Sequence, residues 1–138
     1  MRPKVSNSSP EKTRRPARDL IDAVLENMRS NLEPLKYSTL APSRYLIYLH
    51  PAEYARLEGI IAILQDQTIR ALSEEVVGRN RHSLLRQYLQ RIVGDHDPLV
   101  ENPSGKWSVE FFPDPDGDIL EGDILVDSEL LLPASPEL

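Results

Sequence analysis

Twelve of the 138 residues are proline. Proline lacks a backbone N–H and fixes φ, so helix interiors and central strands exclude it. Each proline must therefore fall in a tail, a loop or a helix start, and together they divide the chain before any other signal is used. Pro16 stands where the first residue of a helix belongs. Asp19 and Asp22 follow in the first turns, where the helix dipole favours acids. Leu20, Ile21, Val24, Leu25, Met28 and Leu32 recur at three- and four-residue spacing, which predicts one apolar stripe, and Pro34 closes that helix.

Residues 33–43 read as a connector. Arg44–His50 (RYLIYLH) is nearly all apolar and lies between Pro42 and Pro51. That pattern predicts a central strand buried on both faces. Pro51-Ala52-Glu53 opens a helix with proline in its first turn, and His50 is placed to cap it. Tyr54, Leu57, Ile60, Ile61, Leu64, Thr68, Leu72 and Val76 keep to one side at a period of 3.6. A bend is expected at Gly59 and a stop at Gly78 with Asn80. Ser83 then precedes Leu84, Leu85, Tyr88, Leu89, Ile92 and Val93, which predicts a third amphipathic helix ended by Gly94. Residues 94–105 read as a loop.

Lys106–Phe111 alternates, with Trp107, Val109 and Phe111 on one face. Pro-Asp-Pro-Asp-Gly at 113–117 is turn chemistry. Ile124-Leu125-Val126 begins a second strand running into Leu130–Leu132, so these two runs are expected to form an antiparallel hairpin. The fold expectation is α+β: one small mixed sheet, made of a central strand plus a C-terminal hairpin, packed against about three helices in the order α-β-α-α-β-β. The expected core includes Ile47, Leu49, Ile61, Leu64, Trp107, Val109 and Ile124. Tyr37, Tyr45, Tyr48, Tyr54, Tyr88 and Trp107 are expected in or near it.

Charge is unevenly placed. Residues 1–18 carry Arg2, Lys4, Lys12, Arg14, Arg15 and Arg18 against Glu11 alone, whereas residues 107–138 carry nine acids and no lysine or arginine. Residues 1–15 have almost nothing apolar to bury and read as a disordered basic tail. Residues 16–132 read as a single domain, and 133–138 as an extended linker. The acidic folded part argues against a nucleic-acid-binding domain, whose footprint is basic. The chain has no cysteine, which excludes a disulfide scaffold, a thiol nucleophile and thiolate metal sites and suits a reducing cytosol. No apolar run approaches the 20 or so residues a membrane span needs, and the basic N-terminus lacks the apolar segment of a secretory signal.

Catalytic and metal motifs do not assemble. Counted from Asp114, the acidic run Asp114-x-Asp116-Gly117-Asp118 puts Ile119 and Leu125 where a calcium loop needs glycine and glutamate. His50, His82 and His96 share no short helical spacing, and Asp95-His96-Asp97 lies in a loop. No Gly-x-Ser-x-Gly elbow and no glycine-rich phosphate loop is present. No catalytic residue, cofactor site or metal site is expected. Arg79, Arg81, Arg86 and Arg91 form the one basic cluster within the folded part and are the candidate partner-binding residues.

Leu40-Ala41-Pro42-Ser43-Arg44-Tyr45-Leu46-Ile47-Tyr48-Leu49, followed by Pro51-Ala52-Glu53-Tyr54-Ala55-Arg56-Leu57, resembles a segment of the FHA-associated N-terminal domain. Trp107–Phe111, the acidic turn and Gly122–Leu130 are similar too, so the resemblance covers roughly residues 17–132. Such domains begin bacterial proteins that end in a phosphothreonine-reading forkhead-associated (FHA) domain. The resemblance implies an α+β fold and a non-catalytic interaction or scaffold module, cytoplasmic, with protein partners in a serine/threonine-kinase pathway. It also implies that 133–138 lead toward an FHA domain. The alternative is a small KH-like nucleic-acid-binding domain, which would need a Gly-x-x-Gly loop that this sequence lacks.

Overall fold

The computed structural model describes residues 15–90 and 98–133. Most of the expected tail and linker, together with Arg91, Ile92, Val93, Gly94 and Asp95-His96-Asp97, lies outside the described residues.

The first apolar stripe forms helix α1 (Arg18–Ser30), and it buries Leu20, Val24 and Met28. The carbonyls of Pro16 and Ala17 accept the N–H groups of Asp19 and Leu20 at 2.9 and 3.0 Å. Strands β1 (Glu33–Pro34), β2 (Thr39–Leu40) and β3 (Arg44–Leu49) follow. His50 caps helix α2 (Pro51–Leu57): its Nδ1 accepts the Ala52 N–H at 3.0 Å. A 3-10 turn over Glu58–Ile60 bends the chain at Gly59 into helix α3 (Ile61–Gln90). Strands β4 (Val100–Glu101), β5 (Ser108–Pro113) and β6 (Ile124–Glu129) complete the described chain.

The molecule is mixed α+β, but three finer expectations are corrected. First, among the described residues the long helices number two, α1 and α3, with the seven-residue α2 leading into the second. The helix expected from Ser83 is the continuation of α3. Gly78 does not stop it, because a glycine costs a helix only about 1 kcal/mol. Nor does Asn80 cap an end, since its amide is engaged elsewhere: Nδ2 donates to the Val100 carbonyl at 2.9 Å, and Oδ1 accepts the Val100 N–H at 2.8 Å.

Second, the described residues form two three-stranded sheets. The connector 33–43 contains the β1–β2 pair, and β2 runs parallel to β4. Third, the C-terminal hairpin does not form. The larger sheet has the order β5-β3-β6, so β3 lies between the two runs. It pairs parallel with β5, Ile47 opposite Phe111, and antiparallel with β6, Ile47 opposite Val126. The intervening α2 and α3 supply the crossover that a parallel pair requires. β3 is central as expected, but only one of its faces is buried. Tyr45, Ile47 and Leu49 point inward, while Arg44, Leu46 and Tyr48 stay half-exposed.

Both long helices lie on the inner face. Leu20, Val24 and Met28 of α1 and Leu64 and Leu72 of α3 join Tyr45, Ile47, Leu49, Val109 and Phe111 in one core. Of the expected core, Ile47, Leu49, Leu64 and Val109 are buried. Ile61, Trp107 and Ile124 pack at its margin. Three of the six aromatic side chains lie away from the core, since Tyr37 is 85% exposed and Tyr88 73%, and Tyr48 stands on the outer face of the sheet. Tyr45 is fully buried, its hydroxyl donating to the Pro42 carbonyl at 2.7 Å. Burial pushes its phenol above the usual tyrosine value, because low dielectric disfavours the phenolate.

Three amide side chains tie helices to strand backbone. Besides Asn80, Asn27 of α1 donates to the Val126 carbonyl of β6 at 3.2 Å, and Gln65 of α3 donates to the Val109 carbonyl of β5 at 2.9 Å. These bonds occupy backbone acceptors that the outer strands would otherwise offer to another chain. Among the described residues, no helix is long and apolar enough to cross a membrane.

Candidate interaction surfaces

Helix α3 carries two apolar stripes on different sides. In its first half Leu64, Thr68 and Leu72, each four residues apart, are buried against the sheet. Thr68 satisfies its hydroxyl by donating to the Leu64 carbonyl at 2.6 Å. Continuing that line from Leu72 leads to Val76, Asn80, Ser83 and Gln87, which turns polar after Val76. The apolar residues move instead to Val77, Leu84, Leu85, Tyr88 and Leu89. Five residues separate Leu72 from Val77, roughly 500° of rotation at 3.6 residues per turn, so the second stripe lies about 140° around the axis. All five of its members are more than half exposed.

The candidate arginines do not form one patch. Arg81 lies within the second stripe, lining a shallow groove with Val77, Asn80, Leu84 and Leu85. Arg79 turns toward α1: its Nη1 lies 3.4 Å from Glu75, whose carboxylate Arg29 already binds through two bonds of 3.0 and 3.1 Å. The Arg29 guanidinium holds the Glu75 carboxyl below the usual carboxylate range. Arg86, two turns beyond Arg79 and about 140° around the axis from Arg81, lies beside His82, 3.2 Å from Nη2 to Nε2. Neither Arg81 nor Arg86 has an acidic partner among the described residues. Residues 76–90 contain no aspartate or glutamate, so this half of α3 is both apolar and basic.

A second uncovered surface is the outer face of the larger sheet, which the sequence reading missed. The register sets Phe112, Tyr48 and Leu125 in one row and Glu110, Leu46 and Asp127 in the next. Tyr48 and Phe112 stack with ring centroids 5.4 Å apart. Leu125 is 53% exposed. At the far end Arg44 reaches Glu110 at 3.7 Å and Glu129 at 3.4 Å. Asp127 has no basic partner among the described residues. The face is thus apolar and acidic. The run of β3 is apolar on both faces, and which strands flank it follows only from the tertiary pairing.

The remaining singled-out groups have structural tasks. The Asp114 carboxylate accepts the Ile119 N–H at 2.8 Å and the Asp116 N–H at 3.2 Å, folding the 114–119 turn around itself. These bonds hold its carboxyl below the usual range, with smaller help from the nearby His50. Gly117 completes the turn at φ +69°, a left-handed conformation that favours glycine. Glu53 and Arg56 pair at 2.8 Å on α2, and Arg56 also donates to the Arg15 carbonyl at 3.0 Å. Beside them a cavity of about 10 Å³ lies among α1, α2 and the turn at Gly122, room for about one water. No three His, Asp or Glu side chains converge as a metal site among the described residues.

No family model, curated protein or solved structure matches the chain.

Proposed function

We propose that this chain is a non-catalytic protein–protein interaction module. In this reading it is the N-terminal part of a bacterial FHA-type phospho-signalling protein and works in the cytoplasm. The observation that carries the reading is the second stripe of α3. A folded chain seldom leaves five large apolar side chains side by side in water unless something covers them. An amphipathic helix offering anchors at such spacing is a recurring way for proteins to dock. The sequence resemblance to FHA-associated domains supports the same class. Arg81 lies roughly 140–160° around α3 from Arg79 and Arg86, and this separation argues against the alternative nucleic-acid reading. A phosphate backbone is gripped by cations arranged along a common track.

The test is site-specific photo-cross-linking in cells that make the protein. A photoreactive residue at Leu85 is expected to yield discrete protein adducts, whereas one at the exposed Asp66 is not. Indistinguishable adduct patterns at the two positions would overturn the reading. So would tight, salt-sensitive binding of single-stranded RNA by the purified chain.

A further inference from the structure

We infer that the distal half of α3 docks on the outer sheet face of a second copy of this chain. The inference rests on the interaction-module reading above and names the partner of that helix. Its basis is the complementarity of two surfaces on one molecule. Val77, Leu84, Leu85, Tyr88 and Leu89 lie around Arg81, on a stretch free of acids. Leu46, Tyr48, Phe112 and Leu125 lie among Glu110, Asp127 and Glu129, with Arg44 as the only cation in those rows. One surface is apolar and basic, the other apolar and acidic.

Three further features favour face-on docking of the helix. Among the described residues, helices pack only on the inner face of the larger sheet, which leaves its outer face open to a further layer. The amides of Asn27 and Gln65 occupy carbonyls of β6 and β5, so the face is the more open site. The dimensions agree as well. Residues 77–90 make a helix about 21 Å long, and a six-residue strand runs about 20 Å. Within its own chain α3 packs on the inner side of that sheet, so the contact with the outer face must form between copies. Pairing two distal helices instead would bring together two stretches that carry only positive charge.

A contact between two different surfaces either closes reciprocally into a two-fold dimer or continues head to tail from copy to copy. Sedimentation of the full chain at low salt should show average mass rising above that of the monomer with concentration, and high salt should reverse the rise. Leu85→Asp, which disables the helix, and Leu125→Lys, which disables the sheet face, should each be monomeric. Mixed together, they should form a one-to-one pair and nothing larger, because each retains one working surface. Tyr88→Glu and Asp127→Lys repeat the experiment at independent positions, with circular dichroism confirming the fold of all four.

A chain that stays monomeric at all concentrations overturns the inference. Self-association that survives Leu125→Lys does so too, since it would mean helix-to-helix pairing. Survival of Leu85→Asp would mean pairing through the sheet alone and would also overturn it. A monomeric chain that still cross-links at Leu85 to a different protein removes this partner and leaves the interaction-module reading standing.

Discussion

The two halves of α3 belong to one continuous helix and are held by different means. From Ile61 to Val76 the helix presents Leu64, Thr68 and Leu72 to the core, and Glu75 binds Arg29 of α1. From Val77 to Gln90 the link to the rest of the described chain is the clasp of Asn80 on Val100. Isolated helices of this length are marginal in water. The comparison teaches that one helix can serve two surfaces when its apolar register shifts partway along. The first stripe completes the domain, and the second is left for something outside it.

The contrast is tested most severely by paired truncations. Leu72→Ala removes a fully buried side chain and should cost about 2–5 kcal/mol in urea denaturation. Leu85→Ala, at 54% exposure, should stay within about 0.5 kcal/mol of the parent. Similar costs at both positions would mean that the distal stripe is packed in the isolated chain.

The clasp comes next. Asn80→Ala leaves the N–H and carbonyl of the buried Val100 without their partner, which should cost about 1–3 kcal/mol. Hydrogen exchange should quicken at Val100 and along residues 77–90 while the amides of β3 keep their order of protection. Unchanged exchange in the distal half would show that the clasp is not what holds it.

Gly78 sits at the boundary of the two halves, and an added Cβ there meets nothing within 4 Å. Gly78→Ala should stiffen the distal half by up to about 1 kcal/mol through helix propensity alone. The gain should appear as slower exchange across residues 78–90. A loss of stability instead would mean that the glycine is needed for close approach by another element.

The smallest effect lies away from α3 and serves as its control. Asp114 has a folded-state carboxyl pKa below its unfolded one, chiefly because the Ile119 N–H binds the charged form. Its contribution is therefore present above the unfolded value and is lost as pH falls through the folded one. Melting temperature should drop on acidification below the ordinary carboxylate range, and Asp114→Asn should flatten that dependence. Exchange in the distal half of α3 should not follow it.

Local signals that depend on neighbouring residues were legible. The stripe of α1, the cap at His50, the bend at Gly59 and the proline-bounded strand β3 each rest on contacts within a few positions, and the structure reproduces them. The second sheet was not legible, because its strands are two residues long and carry no periodicity. The merging of the second and third expected helices had one available signal. No proline occurs between Pro51 and Pro98, so nothing in that stretch forces a helix to end.

The amino-acid order by itself determined where helices could begin, where strands could lie and which end of the chain would be acidic. Those properties follow from backbone geometry, side-chain spacing and charge, and all three are local. The tertiary structure decided which strands meet, and so that β3 separates β5 from β6. It also decided that Leu64 and Leu72 are buried while Leu84 and Leu85 are not. A leucine at helical spacing carries the same apolar area in either half of α3. Only the packing of α3 against the sheet, which holds the line of Leu64 and Leu72 inward, determines which leucines find a core and which remain in water.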